Sequence, residues 1–190
     1  MFFDHALLDN NIVEMNSPEK KYKSFKPIKR DNRSWPSNVI SESPIWCSVD
    51  LRDGNQSLIE PMGNDRKMRM FELLCQIGFK EIEVGFPAAS ETDFNFVRQL
   101  IEQKKIPSDV TIQVLTQSRE DIISKTFEAL AGIPKAIVHF YNSTSTLQRK
   151  VVFNSDKDGV KEIATNGAHL IKQLSEKAKD TEWFFEYSPE

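Results

Sequence analysis

The feature that most limits the fold of this chain is a strict alternation of predicted strands and helices. Short apolar, β-branched runs predict five strands, at residues 45–49, 81–87, 110–115, 135–140 and 183–187. Segments with helical periodicity lie between them, at residues 64–77, 90–103, 119–131 and 156–179. Alternation of this kind indicates parallel strands joined by right-handed helical crossovers. We therefore predict an α/β fold.

The boundaries of the helices carry their own signals. Asn64, Ser90 and Ser118 stand where the first three helices begin, and their short polar side chains are expected to cap them. Gly78 follows the first helix and is expected to end it.

The spacing of the strands leaves two architectures open. Successive strands begin roughly 35 residues apart, so eight such units would need roughly 280 residues, as in a complete (β/α)8 TIM barrel. The chain of 190 residues has room for about four units and a fifth strand. It is therefore either a small open five-stranded sheet or an incomplete barrel. The glycine fingerprint of a dinucleotide-binding sheet and the Gly-Lys-Ser/Thr loop of a phosphate site are both absent from the sequence.

Residues 1–44 differ in character from the rest. They are rich in Pro, Asn and Ser, and neither strand nor helix periodicity persists in them. We predict a partly disordered N-terminal extension over 1–44 and a single domain over 45–190.

Charge and cysteine content exclude several functional classes. A net charge of -3 and a pI near 5.7 give no reason to expect nucleic acid or an anionic membrane as a partner. No apolar run approaches the ~20 residues of a membrane helix, and the first residues lack the pattern of a signal peptide. Cys47 and Cys75 lie in different predicted elements, which favours a reduced, cytoplasmic chain.

Polar side chains gather where the predicted strands end. The carboxyl ends of parallel strands share one edge, where α/β folds bind their ligands. The third strand contributes none of these side chains, whereas the first, second, fourth and fifth supply Arg52, Asp53, Gln56, Glu83, His139, Tyr141, Glu186, Ser188 and Glu190. A carboxylate such as Asp53 suits a divalent cation, a guanidinium such as Arg52 stabilises an oxyanion, and a glutamate can act as an acid or base.

Each of these residues also has a structural explanation. Arg52 and Asp53 could pair across a loop, Glu83 could face solvent or bind a lysine, and a histidine such as His139 is often part of a core. Four strands that all end in this way nevertheless favour a site.

Four segments, at residues 48–56, 81–94, 138–145 and 185–190, resemble the 2-isopropylmalate synthase family in its longer type. The first reads S-V-D-L-R-D-G-N-Q and the second begins E-I-E-V-G-F-P. The fourth-strand segment begins V-H-F-Y-N-S and the last reads F-E-Y-S-P-E. The resemblance extends over roughly residues 20–190, and its motifs are long and occur in the family's order.

The resemblance implies a metal-dependent TIM-barrel enzyme that condenses acetyl-CoA with 2-oxoisovalerate in leucine biosynthesis. It implies that Asp53 binds a divalent metal (Mg, Mn or Zn), that Arg52 lies beside the keto oxygen, and that Glu190 is a catalytic carboxylate. It places Gln56, Glu83, His139, Tyr141 and Ser188 around the keto acid and makes Glu186 structural. It further implies small-molecule substrates as the partners and a homodimer for the full-length protein.

The sequence departs from that family in one respect. The family takes two further metal ligands from a His-x-His motif on a later strand, whereas the only histidines here are His5, His139 and His169. We therefore expect the 190-residue chain to be an N-terminal fragment of the barrel that is inactive by itself. A homocitrate or citramalate synthase and a non-catalytic, partner-dependent subunit stay open, although Asn55-Gln56 in place of Glu-Gln favours isopropylmalate synthase.

Overall fold

The predicted strands form one parallel sheet in which spatial order follows chain order. The computed structural model describes residues 40–190 continuously and, before them, only residues 26, 28, 31, 32 and 38. Most of the predicted extension over 1–44 thus lies outside the described residues, and the predicted domain boundary stays a prediction. The strands are β1 (Cys47–Ser48), β2 (Glu81–Gly85), β3 (Thr111–Gln117), β4 (Lys135–Asn142) and β5 (Glu182–Pro189).

Strand order decides between the two predicted architectures. An open doubly wound sheet reverses its strand order at a switch point. Here the order is β1-β2-β3-β4-β5, every pair is parallel, and no reversal occurs. Consecutive parallel strands that are always neighbours are the arrangement of a (β/α)8 barrel. The prediction of an incomplete TIM barrel is confirmed, and a doubly wound open sheet is excluded.

The helices are α1 (Asn64–Ile77), α2 (Glu91–Glu102), α3 (Glu120–Ala129), α4 (Thr146–Val151) and α5 (Lys157–Lys177). The short helix α4 was not predicted and follows the polar loop after β4. Within residues 40–190, no helix has both the length and the apolar character to cross a bilayer.

The predicted caps have different outcomes. Ser90 caps α2, since its side chain accepts a hydrogen bond from the Asp93 amide, and Gly78 ends α1 with φ at 108°. The predictions for Asn64 and Ser118 were wrong. Gly63 and Arg119 occupy the two cap positions without a side-chain bond. The Asn64 Oδ1 and Ser118 Oγ atoms are buried and have no hydrogen-bond partner among the residues that the structure describes.

The helices cover one face of the sheet and form the core with it. Strand residues that alternate along β2, β3 and β4 are fully buried and face the apolar sides of the helices. The core includes Ile82, Val84, Ile112, Val114, Ala136 and Val138 from the sheet, and Phe71, Leu74, Phe96, Leu100, Ile123 and Ile171 from the helices. The intervening strand residues point to the opposite face, which is polar and holds the candidate site.

A buried ion pair fixes the end of β2. The Lys67 side chain is fully buried, and its Nζ lies 2.5 Å from Asp93 Oδ1. The other oxygen of Asp93 accepts the Phe86 amide hydrogen at 2.8 Å. The Asp93 carboxylate lies so close to Gly85 that an added Cβ there would come within 2.9 Å of it. Residue 85 is therefore a glycine because a carboxylate occupies the space of a side chain.

Candidate active site

A π-helical turn at Asp50–Gly54 carries the first group of site residues. The amides of Arg52, Asp53 and Gly54 all converge on the carbonyl of Val49, at 3.2, 2.9 and 3.2 Å. Leu51 is fully buried and anchors the turn in the core. Turns of this kind are frequent at functional sites. The arrangement presents the Arg52 and Asp53 side chains at the carboxyl end of β1.

The two acidic residues of the turn have different partners. Asp50 accepts a hydrogen bond from the Ser48 hydroxyl at 2.6 Å, so its carboxylate is held by the preceding strand. Asp53 is largely exposed, with 65% of its side chain accessible, and its Oδ1 binds Arg52 Nη1 at 2.8 Å. Asp50 and Asp53 are both exposed, and Asp53 is the one that pairs with Arg52.

Arg52 is held between two carboxylates. Its Nη1 binds Asp53, while its Nε donates to Oε1 of Glu83 on β2. The Glu83 side chain is completely buried. The structural alternative for Glu83, in which it faces solvent or binds a lysine, is therefore wrong: its partner is an arginine from the neighbouring strand end.

The second oxygen of Glu83 joins two further strands. Oε2 accepts from Gln113 Nε2 on β3 at 2.6 Å and lies 2.7 Å from His139 Nδ1 on β4. Because a carboxylate accepts, Nδ1 of His139 carries the proton in this contact. His139 reaches β5 with its other nitrogen, since Nε2 lies 2.7 Å from Ser188 Oγ and 3.6 Å from Glu186 Oε1.

These contacts set the charge of the Glu83–His139 pair. Burial alone would raise the pKa of Glu83, but hydrogen bonds from His139, Gln113 and Arg52 hold that pKa below its ordinary 4.5. Burial lowers the pKa of His139, but the bond to Glu83 and the charges of Glu83 and Glu186 outweigh it, and the pKa lies above 6.5. The centre of the site is a buried carboxylate shared by a guanidinium, an amide and an imidazole.

Three predicted residues lie outside this network. Tyr141 is half-buried at the end of β4, edge-on to Phe86 with ring centroids 6.4 Å apart. Burial and the nearby Glu190 carboxylate raise the pKa of its phenol. Glu190 is exposed, and its amide donates to the Asn142 carbonyl at 3.1 Å. Gln56 is also exposed, just beyond the π-helical turn.

Gln113 is the site residue that the sequence analysis missed. It lies in the middle of β3, is 3% exposed and stands opposite Glu83 in the strand register. The available signal was an amide within the apolar run T-I-Q-V-L of a strand predicted to be buried. A polar side chain at such a position needs a partner, and the neighbouring strand offered Glu83.

The described residues do not make a complete site for a metal ion. Within residues 40–190 and the few positions described before them, no group of three or more His, Cys, Asp or Glu side chains is arranged to hold one. Asp53 is already bound to Arg52 through one oxygen. The described part of the chain therefore offers at most part of a ligand set.

The lowered pKa of Glu83 and the raised pKa of His139 together predict how the stability of the fold depends on pH. Glu83, with a lowered pKa, stabilises the fold above its unfolded pKa, and this contribution is lost as the pH falls through its folded pKa, below 4.5. His139, with a raised pKa, contributes fully below its unfolded pKa, and that contribution is lost as the pH rises through its folded pKa, above 6.5. We expect the melting temperature to be highest between these limits and to decline on both sides. Thermal melts from pH 3 to 9 test this. In His139→Gln, the part of the fall in melting temperature above pH 6.5 that is due to His139 should disappear.

Comparison with known proteins identifies the family. Residues 43–190 match the family described as HMGL-like. The chain belongs to the HMGL-like family. This membership agrees with the parallel sheet and with the polar strand ends described above.

Within this family, the curated relatives with high identity are named 2-isopropylmalate synthase. The relative from Rhodospirillum rubrum is 61% identical over 177 residues, which are 93% of this chain and 32% of that protein. The relative from Paraburkholderia xenovorans is 60% identical and covers 93% of this chain and 31% of its own length. The relative from Pseudomonas putida W619 is 57% identical, and the match covers 94% of this chain and 32% of that protein. The resemblance stated from the motifs is thus confirmed, and the chain spans about a third of the relatives' length.

Among solved structures, the chain is similar to an HMG-CoA lyase from Bacillus subtilis. That similarity has a TM-score of 0.48 at 18% identity, and it covers 74% of this chain and 46% of the lyase chain.

Proposed function

We propose that this chain provides the first half of the keto-acid site of a 2-isopropylmalate synthase. In this reaction the methyl carbon of acetyl-CoA loses a proton and attacks the keto carbon of 2-oxoisovalerate. The keto oxygen takes the negative charge and is then protonated, and hydrolysis of the thioester makes the condensation irreversible. The support comes from the relatives' name and from the way in which Arg52 is held.

The placement of Arg52 is the observation that carries the proposal. Its Nε and Nη1 are bound by Glu83 and Asp53. Among residues 40–190, Nη2 has no hydrogen-bond acceptor, and the side chain is only 16% exposed. A guanidinium fixed through two of its nitrogens, with the third nitrogen free to donate, is preorganised to stabilise an oxyanion. We assign the developing charge on the keto oxygen to Nη2.

The other predicted residues take supporting roles in the proposal. His139 and Ser188, which are hydrogen-bonded to each other, line the pocket with polar groups that orient the keto acid. Tyr141, Gln56 and Glu190 lie at the same strand ends, and Glu190 acts as the catalytic carboxylate. Glu186 is structural and adds negative charge beside His139.

The cofactor and partners are also part of the proposal. Asp53 contributes one ligand to a divalent cation (Mg, Mn or Zn), and the other ligands come from outside the described residues. When bound, this ion polarises the keto group. Acetyl-CoA is the co-substrate. We place the full-length enzyme in the cytoplasm as a homodimer; the unpaired thiols of Cys47 and Cys75 fit a reduced compartment.

A homocitrate or citramalate synthase would use the same chemistry on another 2-oxo acid. The relatives' name favours 2-oxoisovalerate, so a substrate comparison separates the candidates.

A chimera tests the proposed function. This chain would replace the matching first third of the Rhodospirillum rubrum relative, to which it is 61% identical. We expect the chimera to release coenzyme A with acetyl-CoA and 2-oxoisovalerate, and much more slowly with pyruvate or 2-oxoglutarate. A folded chimera that releases coenzyme A only with another 2-oxo acid would refute the substrate, and one that releases none would refute the function.

In that chimera, Arg52→Gln is expected to reduce kcat by about 10²–10³-fold, the usual cost of losing one oxyanion donor. KM for 2-oxoisovalerate should change much less, since the interaction strengthens as charge develops. The matched control is Arg119→Gln, which removes an exposed arginine paired with Asp121. A kcat for Arg52→Gln within a few fold of that control would contradict the assigned role. The 190-residue chain alone is expected to release no coenzyme A.

A further inference from the structure

Gln113 has a position that suggests more than the filling of space. It lies on the polar face of the sheet between Glu83 and His139, and its Nε2 is 2.6 Å from Glu83 Oε2. The same nitrogen lies 3.4 Å from His139 Nδ1. Because Glu83 is ionised and only accepts, the amide must present its NH₂ group to it, which leaves Gln113 Oε1 facing the Cys47 thiol at 4.0 Å.

Among residues 40–190, the Glu83 carboxylate is the group that joins Arg52 to His139. One of its oxygens takes Arg52 Nε and the other takes His139 Nδ1. Both contacts hold at once only if the carboxylate plane keeps one orientation. The two groups pull on different oxygens from different strands, so neither fixes that plane against rotation by itself.

Gln113 adds a third constraint on that plane. It stands directly opposite Glu83 in the β2–β3 register, and it donates to the oxygen that His139 also uses. Gln113 is 3% exposed and Glu83 is 0% exposed, so solvent has little access to this bond. A neutral donor also stabilises the carboxylate without adding a further charge to a site that already holds Arg52 and His139.

We infer that Gln113 is a positioning residue, which holds the Glu83 carboxylate in the orientation that aims Arg52 at the reacting oxygen. Gln113 itself touches no substrate. The importance of Gln113 for catalysis rests on the proposed function. The effect of Gln113 on Glu83 and Arg52 does not, and this effect can be measured in the chain without turnover.

The test is NMR spectroscopy of the 190-residue chain and of Gln113→Met, which fills similar space without an N–H donor. The pKa of Glu83 is followed through its carboxyl carbon, and the Arg52 Nε–H is followed by its exchange with water. We expect Gln113→Met to raise the pKa of Glu83 and to speed exchange at Arg52 by about tenfold, since a hydrogen bond to a charged group is lost. Thr111→Val, a buried substitution on the same strand and the same face, should change neither quantity.

Gln113→Glu decides the question if Gln113→Met does not fold. This substitution keeps the shape of the side chain. A carboxyl at position 113 can donate to Glu83 only while it holds a proton. One of the two pKa values of the coupled carboxyl pair should therefore lie above the ordinary 4.5. Starting the titration from acid, where both carboxyls are protonated, avoids placing two negative charges side by side. An unchanged pKa of Glu83 and unchanged Arg52 exchange in Gln113→Met, or two ordinary carboxyl titrations in Gln113→Glu, would show that Gln113 only fills space.

Discussion

Glu83→Gln is expected to destabilise the chain by about 3–5 kcal/mol, the range for removing one partner from a buried ion pair. The new amide would direct its NH₂ group at Gln113 and His139, which both donate to Glu83 in the wild type. Arg52 would keep a partial negative charge in place of a full one. The pKa of His139 should fall, since burial lowers it and Glu83 is the main opposing cause. Urea unfolding gives the stability, and imidazole NMR gives the pKa.

A control on the same strand separates this effect from a general loss of charge. Glu81 lies two residues before Glu83 on the same face and is only partly buried. Glu81→Gln should leave both the unfolding free energy and the pKa of His139 close to wild type. With three histidines in the chain, the His139 signal is assigned by comparison with His139→Gln. Equal losses in Glu81→Gln and Glu83→Gln would show that the shared carboxylate has no special role.

Asp93→Asn is expected to have an effect of similar size, about 3–5 kcal/mol, because it leaves a buried ammonium without a counter-charge. The Lys67 side chain is 0% exposed, and within residues 40–190 its Nζ lies against Asp93 and the face of the Phe96 ring, 4.9 Å away. Asp93 also holds the Phe86 amide at the end of β2. We therefore expect the loss of stability to be accompanied by changed NMR signals at Phe86 and Tyr141, whose rings touch.

Replacing the lysine of this pair, in place of the aspartate, provides a comparison for the loss of stability. Lys67→Met leaves Asp93 with the Phe86 amide and with 15% of its side chain in solvent, so it should cost clearly less than Asp93→Asn. Asp158→Asn, which breaks an exposed pair with Lys161, should change the unfolding free energy little. If Lys67→Met proved the more costly of the two, the unpaired buried ammonium would not be the main cause of the instability of Asp93→Asn.

Much of the candidate site was predictable because the chemistry of the strand ends is local. Arg52 and Asp53 follow β1 directly, and Glu83, His139 and Ser188 lie on strands whose periodicity is plain. The π-helical turn was not predictable, because it depends on three amides sharing the Val49 carbonyl. Gln113 was missed because its partner is on another strand, and no pattern within β3 reveals that partner.

The alternation of strands and helices, the family and the side chains at the strand ends could all be predicted from the residues alone. These follow from hydrophobic periodicity and from contiguous motifs, both of which depend on near neighbours in the chain. The single winding of the sheet, and the role of Glu83 as the acceptor shared by Arg52, Gln113 and His139, became visible only in the folded arrangement. Strand order and the choice of hydrogen-bond partners depend on which strands become neighbours, and this is settled when the helices pack their apolar faces on one side of the sheet.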